Sequence, residues 1–320
     1  MTKNIVLVGC GNIGSRHIQA LTKLPFKITL HLVEPSLESQ NLTKSRLDEI
    51  SLDNIDELVW HSSVEEPIPK SDLTIIATQS IGRADLIKNL LENGHSRFLI
   101  EKIVCQSTEE YNSLNSKFQE FDAKGWINTN RRYMEPYRQL KDSIKDESFY
   151  MYILAGDVGL GSNAYHFVDL FSWFSNEENI SINGDLLDKK IIFSKRGNNL
   201  LEFSGTLTCK NKKSSSMISF LSSVNTPVIL GFVTNENHIV INETEKKIIS
   251  IYGNLSLSDN FEMANVSNST TQIVNSILIK DECDLPQLNF GLNAHKELFD
   301  IFNKHILLCN GNESKLCPIS

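Results

Sequence analysis

No basic run, no long apolar run and no paired cysteines occur in this chain, and each absence removes a class of function. Lys and Arg number 31 against 39 Asp and Glu, a net charge of −8, and the cations are scattered. Nucleic acid and anionic membrane surfaces are therefore not expected partners. No apolar stretch approaches the ~20 residues that cross a bilayer. The N-terminus enters an apolar segment at once, without a charged leader, apolar stretch and cleavage site, so we expect no export signal and a cytoplasmic protein. The six cysteines are Cys10, Cys105, Cys209, Cys283, Cys309 and Cys317. None forms a C-x-x-C pair or lies near a histidine at finger spacing, so no metal is expected. In a cytoplasmic chain they are free thiols, with Cys10 and Cys105 read as small packing residues. The several Asn-x-Ser/Thr triplets are then chance occurrences. There is no internal repeat and no low-complexity linker.

What is present begins at NIVLVGCGNIG, residues 4–14. An apolar run ends in Gly9-x-Gly11-x-x-Gly14, and a helical pattern follows with Ile18 and Leu21 on one face. Gly9 permits the tight turn, Gly11 the approach of a pyrophosphate and Gly14 close helix–strand packing. Asn12 and Ile13 complete the cradle at the helix N-terminus, where exposed N–H groups attract phosphate. Glu34 follows twenty residues beyond Gly14, at the end of a second apolar run. A carboxylate there accepts from the adenosine ribose hydroxyls and repels the phosphate of NADP, and residues 35–40 supply no cation to hold that phosphate. The plainer alternative is an acid that caps the next helix. The pattern predicts NAD as cofactor, with NADP less favoured.

The length of 320 residues suggests two domains. Through residue 125, strand and helix signals alternate, which predicts a doubly wound parallel sheet. Strands are expected at 4–8, 27–33, 58–61, 73–78 and 97–101, and helices at 13–23, 37–50, 82–92 and 108–121. A further strand, 126–130, leads to a helix at 135–144. Beyond about residue 148, alternating runs with short polar connections predict a mostly antiparallel, open sheet. Its strands are expected at 148–154, 190–194, 200–208, 215–221, 228–233, 238–241 and 247–252, with helices at 165–174 and 294–307. The expected domains are a dinucleotide-binding domain over 1–125 and an α+β substrate domain over 126–320.

Two places carry candidate chemistry. Lys102 follows Glu101 at the carboxyl end of a strand, where ligands bind in open α/β sheets. A lysine there serves either as a proton donor or acceptor beside the nicotinamide, or simply as a solvated strand end. The second place is GDVGLGSNAYHFVDL, residues 156–170, read as a pliable glycine loop followed by His166 and Asp169 at the start of an apolar helix. Histidine suits proton transfer near neutral pH. The structural alternative is a helix-start histidine bonded to Asp169.

With these residues assembled, the chain resembles the glucose-fructose oxidoreductase / inositol dehydrogenase / MocA family over essentially its whole length. The resemblance rests on VGCGNIGSRH, IIATQSIGRADLIKNLLENGHSRFLIEKI, INTNRRYMEPYRQLK, GLGSNAYHFVDLF and the closing helix. It implies a Rossmann domain joined to an open-sheet domain that often forms the oligomer contact, and hence a homodimer or homotetramer. It implies hydride transfer between NAD and a sugar, polyol or sugar nucleotide. Lys102 matches the lysine of the family's Glu-Lys-Pro signature and His166 its catalytic histidine. Thr78 and Gln79 fall where the family places residues beside the cofactor, as does Glu101. Asn130 and Arg131 fall near cofactor and substrate, and Ser162, Asn163 and Asp169 are the remaining expected substrate contacts. Three departures stand out: Ile103 replaces the signature proline, Arg83 stands where many members have histidine, and Ser162 where dehydrogenase members often carry aspartate. A non-catalytic NAD-binding regulator, and a hydrolase or lyase that uses NAD transiently, remain as alternatives.

Overall fold

The computed structural model describes residues 2–144, 147–195, 197–257, 266–311 and 313–320. They form two compact units, Met1–Cys105 with Glu109–Asn130 and Ala264–Asn289, and Gln106–Thr108 with Arg131–Met263 and Phe290–Ser320.

The first unit is a six-stranded sheet with every neighbouring pair parallel. Its elements are β1 Lys3–Val8, α1 Asn12–Leu21, β2 Ile28–Val33, α2 Leu37–Leu47, β3 Ile55–His61, β4 Leu73–Ile76, α3 Arg83–Glu92, β5 Arg97–Glu101, α4 Thr108–Glu120 and β6 Lys124–Asn128. The order β3-β2-β1-β4-β5-β6 reverses direction between β1 and β4. That crevice, at the carboxyl ends of the strands, is where doubly wound sheets take ligands. The central strands are buried on both faces, as their continuous apolar runs require: Ile5, Val6 and Leu7 are wholly inaccessible.

The second unit begins with a 3-10 turn at its N-terminal edge and α5 Glu135–Ile144. It continues through β7 Tyr150–Gly156, α6 Leu160–Ser175, β8 Ser181–Leu187, β9 Ile192–Ser194, β10 Gly197–Glu202, β11 Gly205–Lys210, β12 Ser215–Leu221, β13 Ile229–Val233, β14 His238–Asn242 and β15 Lys247–Tyr252. Seven of these strands form one sheet, ordered β15-β14-β13-β7-β12-β11-β8, antiparallel except where β12 runs parallel to β7. Alternation places Met151, Ile153, Ile218, Phe220, Leu230 and Phe232 in the core. The single run expected at 200–208 divides instead into β10 and β11. The break falls at Phe203 and Ser204, just before Gly205, whose φ of +100° is one that glycine adopts without penalty. β10 pairs with β9 in a separate ribbon.

The chain then returns to the first unit with α7 Val266–Lys280, which packs along α1, before closing the second unit with α8 Leu292–Asn310. The 264–289 segment thus lies with the dinucleotide unit, although it falls within the sequence range expected for the substrate domain. Burial explains the docking: Thr270, Ile273, Val274 and Ile277 are all inaccessible or nearly so. The Thr271 hydroxyl also donates to the Ala20 carbonyl at 2.8 Å.

Candidate cofactor and active-site residues

The turn after β1 is built as a phosphate cradle. Gly9 has φ +90°, a conformation that side chains resist. A Cβ on Gly14 would collide with the Gly9 carbonyl, which is why helix and strand close together only with glycine there. Gly11 is different: a Cβ there would meet nothing closer than the Ser39 hydroxyl at 4.0 Å. This glycine keeps space open for a ligand, at a helix N-terminus that no side chain caps. Asn12, Ile13 and Gly14 occupy the first turn, with their N–H groups at the positive end of the helix dipole. The buried Thr78 hydroxyl, just past β4, has no protein hydrogen-bond partner. Open space at Gly11, an uncapped α1 and an unsatisfied hydroxyl fit a dinucleotide.

Glu34 is buried at the end of β2, and its carboxylate accepts the Cys10 N–H at 2.7 Å and the Ser36 N–H at 2.9 Å. Ser36 is the N-cap of α2, so the acid supports that helix start. Each carboxylate oxygen retains capacity for a further donor such as a ribose hydroxyl. Burial, with Glu34 adding to it, pushes the Cys10 thiol far above its ordinary range, as expected of a packing residue. Arg46, beyond residues 35–40, donates to the Asn12 carbonyl at 3.1 Å and the Asn12 side-chain oxygen at 3.0 Å.

Lys102 is buried, immediately after β5, and its peptide bond to Ile103 is cis. Two side chains bond its neighbour Glu101, and a third supports one of them. His17 Nε2 lies 3.0 Å from the Glu101 carboxylate, Asn128 donates to the same oxygen at 2.5 Å, and His17 Nδ1 meets the Thr270 hydroxyl at 2.8 Å. Burial raises the Glu101 carboxyl, but His17, Asn128 and Lys102 together outweigh it and hold the group below the usual carboxylate range. A carboxylate only accepts, so Nε2 of His17 donates to it. Arg83, at the start of α3, is buried and donates to the carbonyls of Thr78, Glu101 and Ile103. Burial lowers its guanidinium to about 10, opposed by Glu101 and Cys105, and leaves it charged at neutral pH. The sequence flagged Arg83 and Ile103 separately, and passed over His17, which lies one helical turn past Gly14.

In the second unit α6 starts at Leu160, so Gly161, Ser162 and Asn163 lie in its first turn and His166 lies nearly two turns in. This corrects the expectation of a pliable loop ending at His166. The physical reason is packing: a Cβ on Gly159 would strike the Glu202 carboxylate, and one on Gly161 the Leu201 carbonyl. The glycines admit β10, and Glu202 caps the helix by accepting the Ser162 N–H at 3.1 Å. Asn163 donates back to the Gly159 carbonyl at 2.9 Å. His166 is half-buried. The Asp169 carboxylate is gripped in two places by Arg132, at 2.9 and 2.6 Å. Arg131 is likewise held by Glu243 at 2.8 Å through each of two nitrogens, with its guanidinium 4.4 Å from the Phe167 ring centre. Tyr137 donates to the same Glu243 at 2.6 Å. Arg132 thus fastens α6 at Asp169, and Arg131 packs against it at Phe167, both close to His166. Neither Arg132 nor Glu243 stands out in the sequence, because partners 37 and 112 residues away leave no local signal. In the first unit, Asn130 ends the 109–130 segment and Gln79 follows Thr78. Among the described residues no cluster of His, Cys, Asp or Glu could hold a metal.

A crevice at the strand reversal, a glycine turn into an uncapped helix and an acid ending β2 define a dinucleotide-binding Rossmann fold. Residues 3–128 match the family described as "Oxidoreductase family, NAD-binding Rossmann fold", the Gfo/Idh/MocA group. Its cofactor is NAD. No curated protein sequence matches the chain significantly. Solved structures share its fold at low identity. The WlbA dehydrogenase from Bordetella pertussis, in complex with NADH and UDP-GlcNAcA, has a TM-score of 0.71 at 13% identity over 95% of each chain. GenD2 from gentamicin A biosynthesis, in complex with NAD, has 0.70 at 13% identity over 97% of this chain and 95% of that one. Scyllo-inositol dehydrogenase from Lactobacillus casei, with NAD(H) and scyllo-inositol, has 0.66 at 17% identity over 95% and 98%. No helix among the described residues is long and apolar enough to cross a membrane.

Proposed function

We propose that the protein is an NAD-dependent dehydrogenase of a sugar, polyol or sugar nucleotide. The observation that carries this reading is the open space over Gly11 at the uncapped N-terminus of α1, on the sheet edge where β5 ends in Glu101-Lys102. Gly9, Gly11 and Gly14 hold the pyrophosphate, with Asn12 and Ile13 supplying N–H groups. Glu34 holds the adenosine ribose, and Thr78, Gln79 and Glu101 line the cofactor. The nicotinamide, when bound, exchanges hydride with the substrate carbon. Lys102 and His166 serve that carbon's hydroxyl, one taking its proton as hydride leaves and the other donating a hydrogen bond to the same oxygen. Asn130, Arg131, Ser162, Asn163 and Asp169 shape the substrate side, with Arg131 and Asp169 acting through their partners Glu243 and Arg132.

A panel of sugars, polyols and nucleotide sugars, screened by melting shift with NAD present, identifies the substrate class. Incubation of each hit with NAD then reads the chemistry. Growth of NADH absorbance supports the proposal. A changed sugar with no net NADH indicates transient use of NAD and refutes it. NAD binding with no chemistry on any hit returns the protein to the regulator class.

A further inference from the structure

Two departures from the family pattern meet in one place. The signature proline after Lys102 is replaced by Ile103, which removes the ring that fixes backbone rotation at that position. Arg83 donates one nitrogen to both the Glu101 and the Ile103 carbonyls and the other to the Thr78 carbonyl. The two carbonyls that share a nitrogen flank Lys102 on either side. Arg83 is itself 1% exposed and Ile103 equally buried, so the contact is sealed from water. Backbone carbonyls buried in this way need donors, and a guanidinium is the side chain that presents several in one rigid plane.

We infer that Arg83 is the positioning residue for Lys102, holding by hydrogen bonds the segment that a proline ring would otherwise stiffen. Because the same guanidinium holds Thr78, it ties the lysine's segment to the loop beside the cofactor. The Glu101 carboxylate provides the nearby negative potential that keeps the buried cation tolerable. Lysine in place of Arg83 keeps the charge but not the plane. A single ammonium on a flexible stem cannot span three carbonyls in two directions.

The inference rests on the reading of Lys102 as an active-site group, and its test is independent of turnover. Lysine amines of the full-length protein are labelled competitively with trace acetic anhydride, and each site's rate is read by peptide mass spectrometry. The exposed Lys195 serves as internal reference. In the native protein Lys102 labels slowly because it is buried. In Arg83→Lys, Lys102 labels several-fold faster relative to Lys195. In Arg83→Lys/Ile103→Pro, where the ring restores local stiffness, Lys102 returns toward the native rate. A general loss of core packing would not be repaired by proline at 103. A folded Arg83→Lys protein with native Lys102 labelling overturns the inference. Should that variant not fold, the double variant decides: folded with slow Lys102 labelling supports the clamp, whereas unfolded, or folded with fast labelling, overturns it. Full turnover in Lys102→Ala would refute the catalytic reading and leave these rates unchanged in meaning.

Discussion

Both carboxylate oxygens of Glu34 are engaged by backbone N–H groups, from Cys10 and Ser36, so the charge is fixed at the end of β2. A fixed charge discriminates better than a mobile one, because it cannot swing away from a 2′-phosphate. NAD should therefore bind more tightly than NADP in paired titrations. Glu34→Ala should narrow that preference by roughly tenfold or more, as removal of one like-charge contact predicts. The substitution also strands two donors, so a lowered melting temperature is expected alongside. Equal affinity for both cofactors in the native protein would sink the role of Glu34. Lys102 and His166 carry the second prediction at this scale. Lys102→Ala and His166→Ala should each reduce turnover ~10²–10⁴-fold, the usual worth of general acid–base catalysis, with little change in NAD affinity. Unreduced turnover in both variants, measured on the substrate that the screen identifies, removes them from the mechanism.

Among the elements, β1 and α1 were the most legible, because a continuous apolar run and a glycine series have few other solutions. β8 escaped notice: SINGDLL is polar and carries Gly184, which is required because a Cβ there would run into Ile301 of α8. α7 escaped for the opposite reason. TTQIVNSILI reads as well for a strand, and only docking on α1 makes it helical. The early start of α6 at Leu160 was hidden by glycines whose purpose is contact with β10 rather than freedom. The site followed the same division. Gly11, Glu34 and Lys102 sit in local patterns, while Arg132, Glu243 and Thr270 act from distant segments that only the fold brings near. Adjacent strands also carry a pH response. His31 Nδ1 lies 3.0 Å from His61 Nε2, and His61 Nδ1 lies 3.2 Å from Glu66. Burial first, then His61, holds His31 below its ordinary 6.5, and burial does the same for His95. The native state thus binds fewer protons than the unfolded chain in this range. The stability involved is fully present above about pH 6.5 and is lost as pH falls through that value toward the lowered native ones. Melting scans should show a steeper decline between about pH 6.5 and 5 than His31→Leu shows, and parallel curves would refute the assignment.

For the whole molecule, the second unit's sheet presents one face that its helices do not cover. Tyr150, Met217, Ile249 and Ile251 are exposed on its strands; beside the first two, Met151 and Ile218 lie in the core, while the edge strand β15 has no buried residue. We expect a second copy of the chain to cover this face, giving a homodimer or homotetramer. Light scattering at micromolar concentration should find a multiple of 36.1 kDa, and a lone species of that mass would refute it. The return of α7 to α1 has a consequence in time rather than in space. His17, fixed near the beginning of synthesis, waits for Thr270 to be made before its hydrogen-bonded chain to Glu101 is complete. The nucleotide-binding unit therefore cannot finish folding behind the ribosome as an early, self-sufficient piece. Until the intervening unit has emerged, the hydrogen-bonded chain from Thr270 through His17 to Glu101 stays incomplete, so the setting of the strand end that carries Lys102 is finished late.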